Sequence, residues 1–327
     1  KSIILEIRLF KFGFIMDPIE TINPEWDSTF ALMLALQNKG LIEYIKPNSL
    51  CLKEKKVFAH SSIIKVSRNK KKYFEISKSR PVNLNKFDCI LFRNNPPVDD
   101  NYIHTTYLLD QVETNGTLII NSPQALRDFN EKILGVNFIE KELPMIITSN
   151  INTIKKFIQQ HKKVVIKPLN LMAGKSISLI KNTDKNIDKI IGKITDEGKR
   201  LVMTQKFIKE IVKGDTRVII YNGIPYEKVL VRFPPKNDFR ANLAYGGKFF
   251  IRNMQKRHKS LLTKIAIYLK VNRIYLAGVD MIGDYVTEIN ITSPSGIQEI
   301  DKATKFDLSK QITKEFIHTL KTYYNHG

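Results

Sequence analysis

The chain has 327 residues and a mass of 37.8 kDa, the size of two or three domains at about 100 to 200 residues each. Hydrophobic residues make up 43% and charged residues 26%, which excludes disordered and collagen-like classes, and the longest purely apolar run, Phe30 to Leu36, is seven residues where ~18 are needed to cross a bilayer. The net charge of +21 raises the question of nucleic acid, but 41 of the 53 basic residues are Lys spread through every segment, so neither a nucleic-acid nor a membrane partner is expected.

Leu9 to Ile15 reads as a buried strand, followed by a loop and a helix that is capped near Asp27 or Ser28 and ends at Gly40. Residues 41–80 suggest a β-ribbon with little periodicity. The apolar run Phe87 to Phe92 leads through Asn94-Asn95-Pro96-Pro97 into a helix reaching about Glu113, and Thr117 to Ile120 forms the next strand. Strands alternating with helices predict an α/β class with a doubly wound, mostly parallel sheet over residues 1–120. Asn121-Ser122-Pro123 starts a helix with a capping side chain and Pro at its first position, and marks the first boundary. A central domain over 121–200 contains the strands Val164 to Lys167 and Ser176 to Ile180 and a helix within Lys185 to Lys199. A last domain over 201–327 opens with the strand Leu201 to Ile208. It continues through a hairpin at Asn222-Gly223, a polar, glycine-containing loop from Pro234 to Lys248, a helix near Lys259 to Lys270 and paired strands around Gly283-Asp284.

The six His residues have no i,i+4 pair and no Cys at metal spacing, so the common zinc sites are absent. Cys51 and Cys89 are the two cysteines, Cys89 lies within an apolar run, and no signal-peptide pattern occurs in Lys1 to Met16; a reducing cytoplasm is expected. Ala173-Gly174-Lys175-Ser176 imitates the end of a Walker A loop, but Leu169 stands where its first glycine belongs and a strand follows.

Two signals point to chemistry. In Gly278 to Asn290, two short strands join at a tight turn; Glu288 and Asn290 share a face, and an odd-residue turn centred on Asp284 would set Asp280 opposite Glu288, whereas an even turn would not. Asp, Glu and Asn oxygens suit Mg²⁺. The bland alternative is a solvated polar hairpin. Lys167 closes an apolar strand; with Lys132, Arg217, Arg232 and Arg240 it supplies the cations that phosphoryl transfer needs beside carboxylates.

Taken in order, Met16-Asp17-Pro18-Ile19, the Asn121 to Lys132 segment, Ile166-Lys167-Pro168-Leu169, Gly214-Asp215-x-Arg217-Val218, the Arg240 to Gly247 segment and Thr287-Glu288-Ile289-Asn290-x-Thr292-Ser293-Pro294 resemble bacterial glutathione synthetase of the ATP-grasp superfamily. The resemblance runs from about residue 10 to 310. It implies an ATP-grasp fold behind the N-terminal α/β domain, and an ATP-dependent ligase that joins glycine to γ-glutamylcysteine through an acyl phosphate. It further implies that Lys132 and Lys167 contact ATP phosphates, that Gln205, Lys206, Phe207 and Ile208 line the adenine, and that Asp215 meets the ribose. Asp280, Glu288 and Asn290 would bind Mg²⁺, with Mn²⁺ as the alternative. Arg217, Arg232 and Arg240 would act on the transferred phosphate, under a lid over 234–248 that includes Asn242, Gly246 and Gly247. A homotetramer is implied as well. The chain departs from the family at Leu171 and Ala173, which replace phosphate-loop glycines, at Asn94-Asn95 in place of Lys-Asp, and at Gln298 in place of Arg. These departures keep two alternatives in play: an ATP-grasp ligase with a different carboxylate substrate, and a nucleotide-binding homologue weakened in catalysis.

Overall fold

A strand with apolar side chains on both faces belongs in the middle of a parallel sheet, and Phe10–Ile15 is there. It runs parallel to Gly40–Ile45 on one side and Cys89–Phe92 on the other, with Leu118–Ile120 beyond the latter. The helices Ser28–Leu36 and Asp100–Thr114 cover opposite faces of this sheet, as the doubly wound class requires. The computed structural model describes residues 9–69, 71–138, 141–171, 177–236, 238–241 and 247–325.

Asp27 caps the first helix by accepting from the Phe30 amide at 2.7 Å, but the helix stops at Leu36 and not at Gly40. Gly40 instead opens the next strand, where a Cβ would come within 2.2 Å of the Phe10 carbonyl oxygen. Residues 41–80 extend the sheet in antiparallel sense. The long strand Lys56–Val66 pairs with Gly40–Ile45, and Cys51–Lys53, Phe74–Ile76 and Arg80–Asn83 pair with it in turn.

Asn121 ties the N-terminal sheet to the last third of the chain. Its amide nitrogen donates to the carbonyls of Leu276 at 2.7 Å and Ile291 at 2.6 Å, and its oxygen accepts from the Leu276 amide. The helix Pro123–Asp128 follows, with Pro at its start, although the Ser122 hydroxyl makes no capping bond.

Four antiparallel strands form the central sheet, in the order Ser178–Lys181, Lys163–Pro168, Val202–Lys206, Met145–Thr148. Helices Ile151–His161 and Ile187–Thr195 close a core of their own against it, built on Ile154, Ile158, Val164, Ile166 and Ile191. Val202–Lys206 lies inside this sheet, paired on both sides. The expected boundary at residue 200 therefore falls too early, and we propose a boundary beyond Ile208.

The last sheet has six antiparallel strands, with Asp215–Tyr221 between Lys228–Phe233 and Leu276–Ile282, and Tyr285–Asn290 at one edge. Helix Lys259–Val271 covers one face; Ile297–Ala303 and Asp307–Asn325 cover the other. Both apolar clusters of this sheet run on into the N-terminal sheet. The first and last thirds thus form one body.

Candidate active site

Ladder register collects the charged residues. Arg217 lies opposite Asp280, Asp280 opposite Glu288 and Asp215 opposite Arg232, and residues two apart on one strand share a face. The far end of that face is apolar: Ile219, Leu230 and Leu276 pack beneath the helix Ile297–Ala303. The near end carries the charges.

Asp280 and Glu288 do face each other, but not for the expected reason. The turn holds two residues, Gly283 and Asp284, with Ile282 opposite Tyr285 and Gly283 at φ +60°. An even turn alone would put Asp280 and Glu288 on opposite faces. A bulge between Asp280 and Met281 shifts the register by one residue and restores the alignment, as a β-bulge does by setting two residues against one.

Asp280 accepts from Arg217 Nε at 2.7 Å and Nη2 at 2.6 Å, and Arg232 Nη2 lies 2.9 Å from the oxygen that Nε reaches. Burial opposes its charge, but the two guanidiniums outweigh burial and bring the carboxyl down to about 2. Asp215 has only a share of Arg232; burial dominates there and pushes it up to about 6, with Oδ1 buried and unpartnered. Arg217 also reaches the Ser295 carbonyl at 3.2 Å. Arg240 pairs with Asp238 at 2.7 Å.

Lys167, at the end of its strand, faces the charged sheet from the central unit, and burial lowers its pKa. Lys132 is 4% exposed; its ammonium donates to the Leu171 carbonyl at 2.6 Å and lies 3.1 Å from Glu288. Asn130 caps the short helix Glu131–Leu134 and donates to the Leu169 carbonyl, so the cap that presents Lys132 also tethers the chain leaving Lys167. A cavity of about 150 Å³ lies between the sheets. Its walls include Lys167, Gln205, Lys206, Phe207 and Ile208 on the side of the central sheet, and Asp215, Arg217, Arg232, Arg240, Asp280, Glu288 and Asn290 opposite. Lys206 is exposed, and Lys163 lies 3.8 Å over the Phe207 ring. Gly247 is half-buried at the start of the strand Lys248–Asn253; Asn242, Gly246 and Ala173 lie outside the described residues.

A second cavity, about 280 Å³, opens where the N-terminal sheet meets the last one. Arg217 and Asn290 belong to both cavities. Sequence reasoning missed Arg93, Trp26 and Glu131 in its wall. Arg93 is buried, donates to the Pro294 carbonyl at 3.0 Å and to Thr29, and burial draws it down to about 10. One signal could have found it: Arg93 directly follows a parallel strand, and open α/β sheets bind ligands beyond the carboxyl ends of their strands. Glu131 accepts from the amides of Ile291 and Thr292 at 2.7 and 2.9 Å. Gln298 does not reach this cavity; it is buried and donates to the Pro24 carbonyl at 2.8 Å. Asn94 and Asn95 both donate to Asp17.

The oxygen types gathered here are those a hard divalent ion takes, although the Asp280 oxygens are held by Arg217, Arg232 and Asn290 and Glu288 pairs with Lys132. Among the described residues no three His, Cys, Asp or Glu converge, but Asp280 and Glu288 share a face with Asn290, whose amide nitrogen is engaged by Gly278 and Asp280, leaving the amide oxygen free to accept. Two carboxylates and an amide suit an ion that completes its shell with water and substrate oxygens.

Two sheets closing on a cation-rich cleft, behind a parallel α/β domain, define an ATP-grasp ligase fold. The same fold is seen in the solved D-cycloserine synthetase DcsG, at TM-score 0.65 and 11% identity over 95% of this chain and 99% of that one. D-alanyl-alanine synthetase A of Vibrio cholerae shares it at TM-score 0.55 and 14% identity, over 88% and 89%. Residues 10–127 match the N-terminal domain of prokaryotic glutathione synthetase and residues 131–305 its ATP-grasp domain; the chain belongs to that family. The glutathione synthetase of Buchnera aphidicola (subsp. Baizongia pistaciae) is 41% identical over 94% of this chain and 96% of its own length. That of Coxiella burnetii is 38% identical over 96% and 97%.

Proposed function

We propose that the two cavities divide the substrates of glutathione synthesis: ATP in the cleft between the sheets, γ-glutamylcysteine in the cavity at the junction with the N-terminal sheet. Family membership makes the chain an ATP-dependent ligase that joins glycine to γ-glutamylcysteine, giving glutathione, ADP and phosphate. The observation that carries the division is the shared wall: Arg217 and Asn290 line both spaces, so a phosphoryl group can pass between them without leaving the charged face.

A carboxylate is a poor electrophile, and phosphorylation gives it a leaving group. The cysteinyl carboxylate oxygen bonds to the γ-phosphorus and ADP departs; the glycine amine then attacks the acyl carbon, loses a proton, and phosphate leaves. No protein nucleophile is required. Lys132 and Lys167 contact the phosphates, the chain from Gln205 to Ile208 lines the base, and Asp215 lies where a ribose hydroxyl would satisfy its bare oxygen. Arg232 and Arg240 stabilise charge on the transferring group, while Arg217 and Arg93 face the substrate carboxylates. Asp280, Glu288 and Asn290 would hold Mg²⁺, with Mn²⁺ as the alternative, which when bound neutralises phosphate oxygens. The family resemblance supports a lid role for the segment 234–248, with Asn242, Gly246 and Gly247, in keeping water from the acyl phosphate. The family resemblance supports a homotetramer working in the cytoplasm.

Phosphate release from ATP tests this reading. It should require γ-glutamylcysteine, glycine and a divalent ion together. Equal release with unrelated carboxylates would return the chain to a broader ligase class.

A further inference from the structure

The loop that walls the dipeptide cavity is fastened from one helix. Ile297–Ala303 begins with the Ile297 amide donating to the Ser28 hydroxyl at 3.1 Å. Gln298 Nε2 donates to the Pro24 carbonyl at 2.8 Å, and Lys302 Nζ to the Glu25 carbonyl at 2.9 Å. Gln298 and Lys302 are four apart and so lie on one helical face, and the carbonyls they engage are consecutive. The next residue is Trp26, which lines the cavity. Lys302 Nζ lies 3.9 Å over its ring, and Phe249 meets the ring edge-on at 6.0 Å. Phe249 belongs to the strand that leaves the 234–248 segment.

Gln298 is fully buried, and its Oε1 has no partner. A buried amide with an unpartnered oxygen is costly where an apolar side chain of the same size would be cheaper. Its other half, the donor, is the part the structure uses.

We propose that Gln298 and Lys302 are positioning residues for the acceptor dipeptide: by pinning the carbonyls of Pro24 and Glu25 they fix Trp26 as a wall of the cavity, and so set the affinity for γ-glutamylcysteine. This rests on the assignment of that cavity to the dipeptide. Neither residue touches the charged face, so the nucleotide side and the chemical step do not depend on them.

The test uses the full chain and two measurements. Steady-state kinetics give KM and kcat for each substrate. Trp26, the single tryptophan, reports dipeptide binding by its emission when γ-glutamylcysteine is titrated in without ATP. Gln298→Met keeps the volume and removes the donor; Lys302→Met keeps the stem and removes the charge; Lys302→Arg keeps a donor. Gln298→Met loses one hydrogen bond and Lys302→Met one hydrogen bond together with the cation over Trp26, so the dipeptide KM and the fluorescence Kd should rise about fivefold each, with kcat and the ATP KM unchanged, and Lys302→Arg should restore most of the loss. Lys302 is exposed, so its variants fold even if Gln298→Met does not. If the Met variants bind the dipeptide as wild type does while Trp26 still responds to it, the positioning role is overturned and the cavity assignment stands. If Ser293→Leu, which fills the same cavity, leaves the dipeptide KM unmoved, the assignment falls and the proposal with it.

Discussion

The two sheets that face each other across the proposed nucleotide cleft are supported differently. The central four-stranded sheet encloses an apolar core that it shares with no other part of the described chain. The six-stranded sheet is continuous with the N-terminal sheet through apolar clusters on both its faces, and Asn121 and Glu131 fasten it with buried hydrogen bonds. The larger body therefore holds the proposed phosphate and metal contacts Arg217, Asp280 and Glu288 on paired strands. The smaller unit brings Lys167 and the segment Gln205 to Ile208 to meet them through few bonds, among them those of Lys132 and Asn130 to the chain around Leu171. Rigid elements carry the constellation, and an independently cored unit covers it.

Removing carboxylates from the rigid side should have the largest effect. Glu288→Gln and Asp280→Asn should each lower kcat by orders of magnitude, since charge stabilisation on the transferring phosphoryl group is the main catalytic contribution. They should part in stability. Asp280→Asn leaves the buried Arg217 and Arg232 short of a counter-charge, a loss of about 3 kcal/mol or more for a buried pair, whereas the Glu288 side chain is 24% exposed and its neutralisation should cost far less. Denaturant midpoints of the two variants check this. Equal destabilisation would mean that the charged row is not graded by burial.

The independence of the central unit can be broken directly. Ile158→Ala removes a fully buried side chain from its core, at a cost of about 2–5 kcal/mol. Amide exchange should then quicken in Lys163–Pro168 and Val202–Lys206 and stay unchanged in Asp215–Tyr221. Uniform acceleration across both sheets would show a single cooperative unit.

Much of this was legible in the sequence, and the gaps have physical causes. The ordered motifs and the cation set were visible; the facing of Asp280 and Glu288 was visible only as one of two alternatives, tied to an odd-residue turn that the structure does not have. The bulge was not, because polar and apolar alternation on either side of an inserted residue looks like an odd-residue turn. Residues 41–80 resisted reading because Lys56–Val66 buries two successive serines, Ser61 and Ser62; Ser61 bonds the buried Glu43, which also pairs with Lys11 and Arg80, so the usual apolar period is interrupted. Trp26 and Arg93 escaped because their cavity is assembled from segments more than 200 residues apart, as the bond from Arg93 to Pro294 shows.

Lys167 sharpens the contrast from the central side. Burial lowers its pKa, so its charge is held against a desolvation cost, and Lys167→Ala should leave the thermal midpoint unchanged or slightly raised. ATP affinity should fall about tenfold or more, as expected for losing a charge-assisted contact to phosphate. Calorimetric titration decides it. Wild-type affinity in the folded variant would remove Lys167 from the nucleotide site.

The smallest effect belongs to Asp284, on the same hairpin as the proposed ligands but outside the cleft. His258 Nε2 lies 2.9 Å from its Oδ1 and Arg257 3.1 Å away. The hydrogen bond from His258, followed by weak opposing burial and the charge of Arg257, holds the carboxyl below the ordinary aspartate range. A depressed carboxyl contributes stability that is complete above the unfolded value of about 4 and is lost as the pH falls through the folded value. Asp284→Asn should therefore melt slightly below wild type at neutral pH, and the two should converge in acid. Because a bulge, and not the turn residue, sets the register of Asp280 against Glu288, kcat should stay within about twofold, in keeping with a surface substitution. A turn variant as inactive as Glu288→Gln would mean that the turn itself holds the carboxylates in register, and the bulge would lose the role assigned to it.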